Sequence, residues 1–80
     1  MNKQDARQAV QTAISQVAPD LGPDDLEGGA RLRQDLELDS LDFLRLVETI
    51  AQSTGVDIPE RDYPAVATVD ELINYVAEHG

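Results

Sequence analysis

Apolar residues return at spacings of three and four along three separate stretches of this chain. Each such stretch predicts a helix with one buried face. The first covers residues 3–18, where Ala6, Ala9, Val10, Ala13, Ile14 and Val17 make one stripe. Asn2 is placed to cap it and Pro19 to stop it, with Leu21-Gly22-Pro23 confirming the break. The second covers residues 40–53, with Phe43, Leu46, Val47 and Ile50 on the stripe and Leu41 and Leu44 beside it. Asp39 can cap that helix, because its carboxylate can accept a hydrogen bond from a free first-turn amide, and Gly55 can end it. The third carries Val69, Leu72, Ile73 and Val76 and runs to about Glu78. It opens on Thr68-Val69-Asp70-Glu71, where a capping Thr and a Glu three residues later can satisfy each other's amides.

Between these stretches the period is lost. From Pro19 to Asp39 the pattern is broken by Gly22, Pro23, Gly28 and Gly29, yet Leu21, Leu26, Leu32, Leu36 and Leu38 are spread through it. That reads as a long loop lying on the core, with Gly28-Gly29 as a flexible turn. Long ordered loops are often functional. Val56, Ile58 and Pro59 look extended, and Tyr63-Pro64-Ala65-Val66 fits a short helix with Pro64 in its first turn. Three helices, a short fourth and one long loop predict an all-α fold, a small antiparallel four-helix bundle formed as a single domain over residues 1–80.

Composition limits the chemistry. There is no cysteine, so disulfides and thiolate metal sites are excluded, and the core must be aliphatic. No apolar run approaches the roughly 20 residues of a membrane span. The opening MNKQDARQAV has no apolar signal region, so the expected location is the cytoplasm. Sixteen acids against six bases give a net charge of −10. Such a field repels nucleic acid and anionic membrane and favours proteins with basic patches.

A catalytic serine needs a base within hydrogen-bond reach. The one histidine, His79, stands next to last and reads as a residue facing the dipole at a helix C-terminus, so no catalytic residue is assigned. Asp35, Glu37 and Asp39 alternate as in a calcium loop. The sixth position of such a loop needs Gly and the twelfth a bidentate Glu; here they are Ser40 and Leu46, so no metal site is expected. Gly28-Gly29 lacks the spacing and the lysine of a phosphate-binding loop. Ser40 remains. It is either an ordinary first-turn serine or, with Asp39 doing the capping, a hydroxyl left free at the mouth of a helix.

The stretch DLELDSLDFLRLVETI (residues 35–50), with VDIPERDY and ATVDELINYV downstream, resembles the acyl carrier protein family. The family's hallmark is Asp-Ser-Leu at the start of the second helix, here Asp39-Ser40-Leu41 followed by Asp42. The resemblance implies a right-handed four-helix bundle. It implies that a phosphopantetheinyl transferase attaches 4'-phosphopantetheine from coenzyme A to Ser40, and that acyl groups ride on the arm's thiol as thioesters. The missing cysteine and missing base both agree with this. It implies docking of acyl-loading and acyl-processing enzymes with basic patches on the second helix, through Asp39, Leu41, Asp42, Leu44, Arg45 and Glu48. It also implies an apolar cleft for the acyl chain, with Leu46, Val47, Ile50, Ile58 and Val66 as candidates to line it. The expected state is a monomer.

Four departures from the family pattern stand out. Glu37-Leu38 replace the usual Gly-Ala, Arg45 stands where Glu is usual, Glu48 stands for Met, and Ala51 and Gln52 occupy places that are often acidic. A groove lined only with Arg and Lys would meet a like charge at Arg45. This points to a specialised carrier of a fatty-acid, polyketide or related pathway, unless Arg45 merely pairs with Asp42 or Glu48 on the helix surface. An aminoacyl or peptidyl carrier, toward which Leu38 leans, and an unmodified acidic interaction domain remain as alternatives.

Overall fold

The computed structural model describes residues 1–80, Pro23 by its backbone alone. Helix α1 runs Lys3–Val17, α2 Ser40–Thr54 and α3 Val69–His79; a 3₁₀ helix, Glu60–Val66, precedes α3, and there are no strands among the described residues. Helix α1 packs against both α2 and α3, and the 3₁₀ helix packs on α3. The buried interior they enclose is wholly apolar.

The helix boundaries follow the capping chemistry. Asn2 Oδ1 accepts from the Asp5 amide at 2.7 Å. Asp39 Oδ1 accepts from the Asp42 amide at 2.8 Å. At α3 the Thr68 hydroxyl accepts from the Glu71 amide at 3.2 Å, while Glu71 Oε1 accepts from the Thr68 amide at 3.1 Å. Each such cap is worth about 0.5–2 kcal/mol. Gly55 ends α2 in the left-handed region at φ 76°, its amide donating to the Ala51 carbonyl at 2.9 Å.

Two expectations shift in detail. The short helix begins at Glu60, three residues before Tyr63, so Pro64 lies inside it rather than in its first turn, and it is of the 3₁₀ type. Glu60, Arg61 and Asp62 carry no apolar period, so that turn leaves no trace in the hydrophobic pattern. The long loop contains one 3₁₀ turn, Pro23–Asp25, preceded by a local lock in which the Gly22 amide donates to Asp25 Oδ2 at 2.9 Å.

The loop is held in place at several points. Leu26, Leu32, Leu36 and Leu38 are all buried, so it lies on the core as the leucine spacing implies. Its middle pairs with the start of α3 through an antiparallel bridge between Arg31 and Thr68. Around that bridge the Leu32 amide donates to the Ala67 carbonyl at 2.9 Å and the Val69 amide to the Ala30 carbonyl at 3.0 Å. The Asp70 amide donates to the Gly28 carbonyl at 3.0 Å, and a Cβ on Gly28 would collide with the Asp70 carboxylate. Gly28 is therefore a close-approach position as well as a turn. Among the described residues Glu37 is the one non-glycine position with positive φ, at 58°.

Candidate functional site

Ser40 is the first residue of α2, and its side chain is exposed. The sequence puts it there by placing Asp39 one residue earlier. The Asp39 carboxylate takes the first-turn amide, so the Ser40 hydroxyl has no capping task. The helix dipole makes this end positive and favours a negative group nearby.

Arg33, seven residues upstream, reaches the same hydroxyl. Its Nη2 donates to Ser40 Oγ at 3.1 Å. Nothing in the hydrophobic pattern or the motifs singles out Arg33. Its signal was faint: Arg31 and Arg33 are two bases close together in an acidic loop, with nothing to show which of them faces Ser40. In the structure the two differ sharply. Arg31 is committed to Asp35, with Nε at 3.2 Å from Oδ2 and its backbone amide donating to the same oxygen at 2.8 Å. These hydrogen bonds from the Arg31 side chain and amide hold the Asp35 carboxyl below the usual carboxylate range. Arg33 forms no ion pair among the described residues.

One cleft opens on the serine, and a second shares two of its walls. One, of about 340 Å³, is lined by Arg33, Ser40, Phe43, Leu44, Glu60 and Tyr63. The other, of about 200 Å³, shares Arg33 and Phe43 and is completed by Arg31, Gln34 and Ala67. Phe43 and Tyr63 meet edge to face, with ring centroids 5.0 Å apart. That contact joins α2 to the 3₁₀ helix and adds about 0.5–1.5 kcal/mol beyond the area it buries. The five residues named for an acyl cleft lie elsewhere. Leu46, Val47, Ile50, Ile58 and Val66 are all buried in the core, and none lines either of these clefts. Phe43, on the α2 stripe with Leu46, Val47 and Ile50 and likewise buried, does line both clefts, so the stripe alone does not separate core from cleft wall.

The residues named for docking separate into two groups. Leu41, Leu44, Arg45 and Glu48 follow the i, i+3, i+4, i+7 spacing and share one exposed helix face. Leu41 is 71% exposed, unusual for a leucine in a chain that buries most of its others. Asp39 and Asp42 sit at the cap, linked by the cap hydrogen bond. Arg45 pairs with neither Asp42 nor Glu48; the ion pair among the described residues is Arg31–Asp35. His79 stacks on the Tyr75 ring near the C-terminal end of α3, with centroids 4.1 Å apart, and lines neither of the two clefts.

These features suit a covalently attached prosthetic group. The hydroxyl is exposed, it is not needed for capping, and it opens on a cleft with apolar walls and a cation at its edge. A helical bundle whose second helix begins with such a serine agrees with the prosthetic-group carrier class that the Asp-Ser-Leu resemblance implies. Comparison with known proteins gives the class its name. The phosphopantetheine attachment site family matches residues 8–76. An acyl carrier protein of Rubrobacter xylanophilus is 36% identical over 76 residues, covering 91% of this chain and 94% of that protein. One of Zymomonas mobilis is 35% identical over 57 residues, covering 71% of this chain and 73% of that protein. The solution structure of a candidate acyl carrier protein from Anaplasma phagocytophilum matches with a TM-score of 0.83 at 26% identity, covering 98% of this chain and 91% of that one. The chain belongs to the acyl carrier protein family. It is a non-catalytic carrier whose cofactor is 4'-phosphopantetheine; that group supplies a terminal thiol on which acyl groups are held as thioesters. No helix among the described residues is long and apolar enough to cross a membrane.

Proposed function

We propose that residues 1–80 act as one carrier domain in which Ser40 receives the arm. The observation that carries this is the division of labour at the start of α2: Asp39 caps, and the adjacent hydroxyl is exposed. A phosphopantetheinyl transferase supplies the base that this chain does not offer near Ser40. The Ser40 oxygen forms a bond to the phosphorus nearest the pantetheine in coenzyme A. The bond to the bridging pyrophosphate oxygen breaks, the nucleotide leaves with that oxygen, and the transferase's base takes the hydroxyl proton.

The exposed face of Leu41, Leu44, Arg45 and Glu48, with Asp39 and Asp42 at its head, is the docking surface in this reading. Leu41 and Leu44 give apolar contact beside the attachment point, and the acids attract basic patches. Arg45 has no acid partner on its own helix, which supports a role in choosing partners. A dedicated set of loading and processing enzymes would then carry an acid opposite Arg45. The test is intact mass after incubation with coenzyme A and a broad-specificity transferase. Wild type should gain one phosphopantetheine and Ser40→Ala none. A wild-type chain that gains nothing under conditions that load a known carrier would overturn the reading.

A further inference from the structure

Arg33 already holds the oxygen that the proposed modification would change. Its guanidinium offers five N–H donors in a planar fork, a geometry that matches phosphate oxygens. One of these donors rests on Ser40 Oγ at 3.1 Å, and no carboxylate pairs with Arg33 among the described residues. In a chain with sixteen acids, a cation left on a neutral hydroxyl is conspicuous. Its neighbour Arg31 shows the alternative, bound to Asp35 through both side chain and backbone. The backbone on which Arg33 stands is fixed. Leu32 is fully buried, and its amide donates to the Ala67 carbonyl at 2.9 Å beside the Arg31–Thr68 bridge. The side chain is therefore presented from a rigid support.

Esterification would remove the hydroxyl proton and turn Oγ into a bridging oxygen, a poor acceptor. The negative charge would lie on the non-bridging phosphate oxygens, two bonds from the atom that Arg33 touches now. Charge-assisted contacts of this kind are roughly twice as strong as neutral ones. Arg33 and Phe43 also both border the two clefts. We infer that Arg33 is a positioning residue for the prosthetic arm: it binds the phosphodiester on Ser40 and so starts the arm along the cleft walled by Phe43, Leu44 and Tyr63. This inference rests on Ser40 being the attachment point. Glu60 lines the same cleft and is the acid that would compete for Arg33.

The experiment uses holo protein made with coenzyme A and a transferase, with loading first verified by intact mass. The Arg33 side-chain N–H resonances are followed by ¹⁵N NMR and the arm's phosphodiester by ³¹P NMR. Loading should shift the Arg33 resonances of wild type. The ³¹P resonance of wild type should differ from that of Arg33→Gln, with Arg33→Lys between them. Release of the arm by a non-specific phosphodiesterase should be on the order of two- to five-fold faster in Arg33→Gln, the range for an exposed ion pair. High salt should narrow that gap. Wild type that loads fully while its Arg33 resonances stay still would overturn the inference and leave Ser40 as the attachment point. So would equal ³¹P shifts and release rates in wild type and Arg33→Gln. Wild type that takes no arm would overturn the Ser40 reading itself. If Arg33→Gln accepts no arm, the Arg33 resonances of wild type alone decide.

Discussion

Replacing Glu37 by glycine should stabilise the protein. Leu36 and Leu38 are both buried, at 6% and 3% exposure, with a single residue between them. The Leu36 amide donates back to the Arg31 carbonyl at 3.1 Å and the Leu38 amide to the Leu32 carbonyl at 3.2 Å. To direct both amides back to residues 31 and 32 the chain turns at the residue between, which adopts φ 58°. An L-residue in that region costs roughly 1–2 kcal/mol because its Cβ crowds the backbone. Glycine removes the crowding but loses more freedom on folding, about 0.5–1 kcal/mol. The Glu37 carboxylate is exposed and joins no ion pair among the described residues, so its removal sacrifices no such contact. The net gain should be about 0.75 kcal/mol, within a range of about 0–1.5, and the central value corresponds to roughly 3–6 °C in melting temperature for a domain of this size. Thermal and urea unfolding followed by circular dichroism would measure it. Glu37→Ala is the control, since it removes the same charge from a chain of net charge −10 but keeps the Cβ. Glu37→Asn should fall between, because asparagine tolerates this conformation better than most residues. If Glu37→Gly were no more stable than Glu37→Ala, the conformational argument would fail and any gain would be a charge effect.

Other outcomes follow from the same contacts. The Tyr75 hydroxyl donates to Asp62 Oδ2 at 2.7 Å, tying α3 to the 3₁₀ helix, and that hydrogen bond raises the phenol above its ordinary value. The bond's stabilisation should therefore be complete below about pH 10 and be lost as pH rises through the folded-state value. Tyr75→Phe should lower the urea midpoint at neutral pH, and the gap from wild type should close only in strongly alkaline solution; a gap that closed near neutrality would contradict this. Arg45→Glu should weaken association with the chain's own partner enzymes several-fold and strengthen it with enzymes whose grooves are uniformly basic, mainly through the association rate. Surface binding kinetics would show it, and uniformly basic partners that already use wild type at full rate would end the case for a dedicated partner set.

The parts of this fold that were readable in the sequence are those governed by short-range rules. Asn2, Asp39 and Thr68 each cap the helix that their position implies, and Gly55 ends α2, because capping involves residues only a few places apart. The place of Ser40 at the start of α2 was readable because Asp39-Ser40-Leu41 stands at the head of a strongly periodic helix. The remainder depends on long-range geometry. The contact between Arg33 and Ser40 spans a loop with no period, and the bridge that fixes Arg33 depends on Thr68, far along the chain. Phe43 was legible as core, but its second role as a cleft wall needs Tyr63 from another helix. Glu37 was visible as a departure from the family's usual glycine, yet only the backbone angle shows that the position is a conformational one.

Attachment of the arm to Ser40, freed from capping by Asp39, can be tested at the residue by proteolysis of the loaded protein followed by tandem mass spectrometry. One phosphopantetheine is expected, confined to the peptide containing Ser40, with fragment ions placing it on that serine and none on Ser15 or Ser53. An arm found on any other residue, or a Ser40→Ala protein that still gains one, would contradict it.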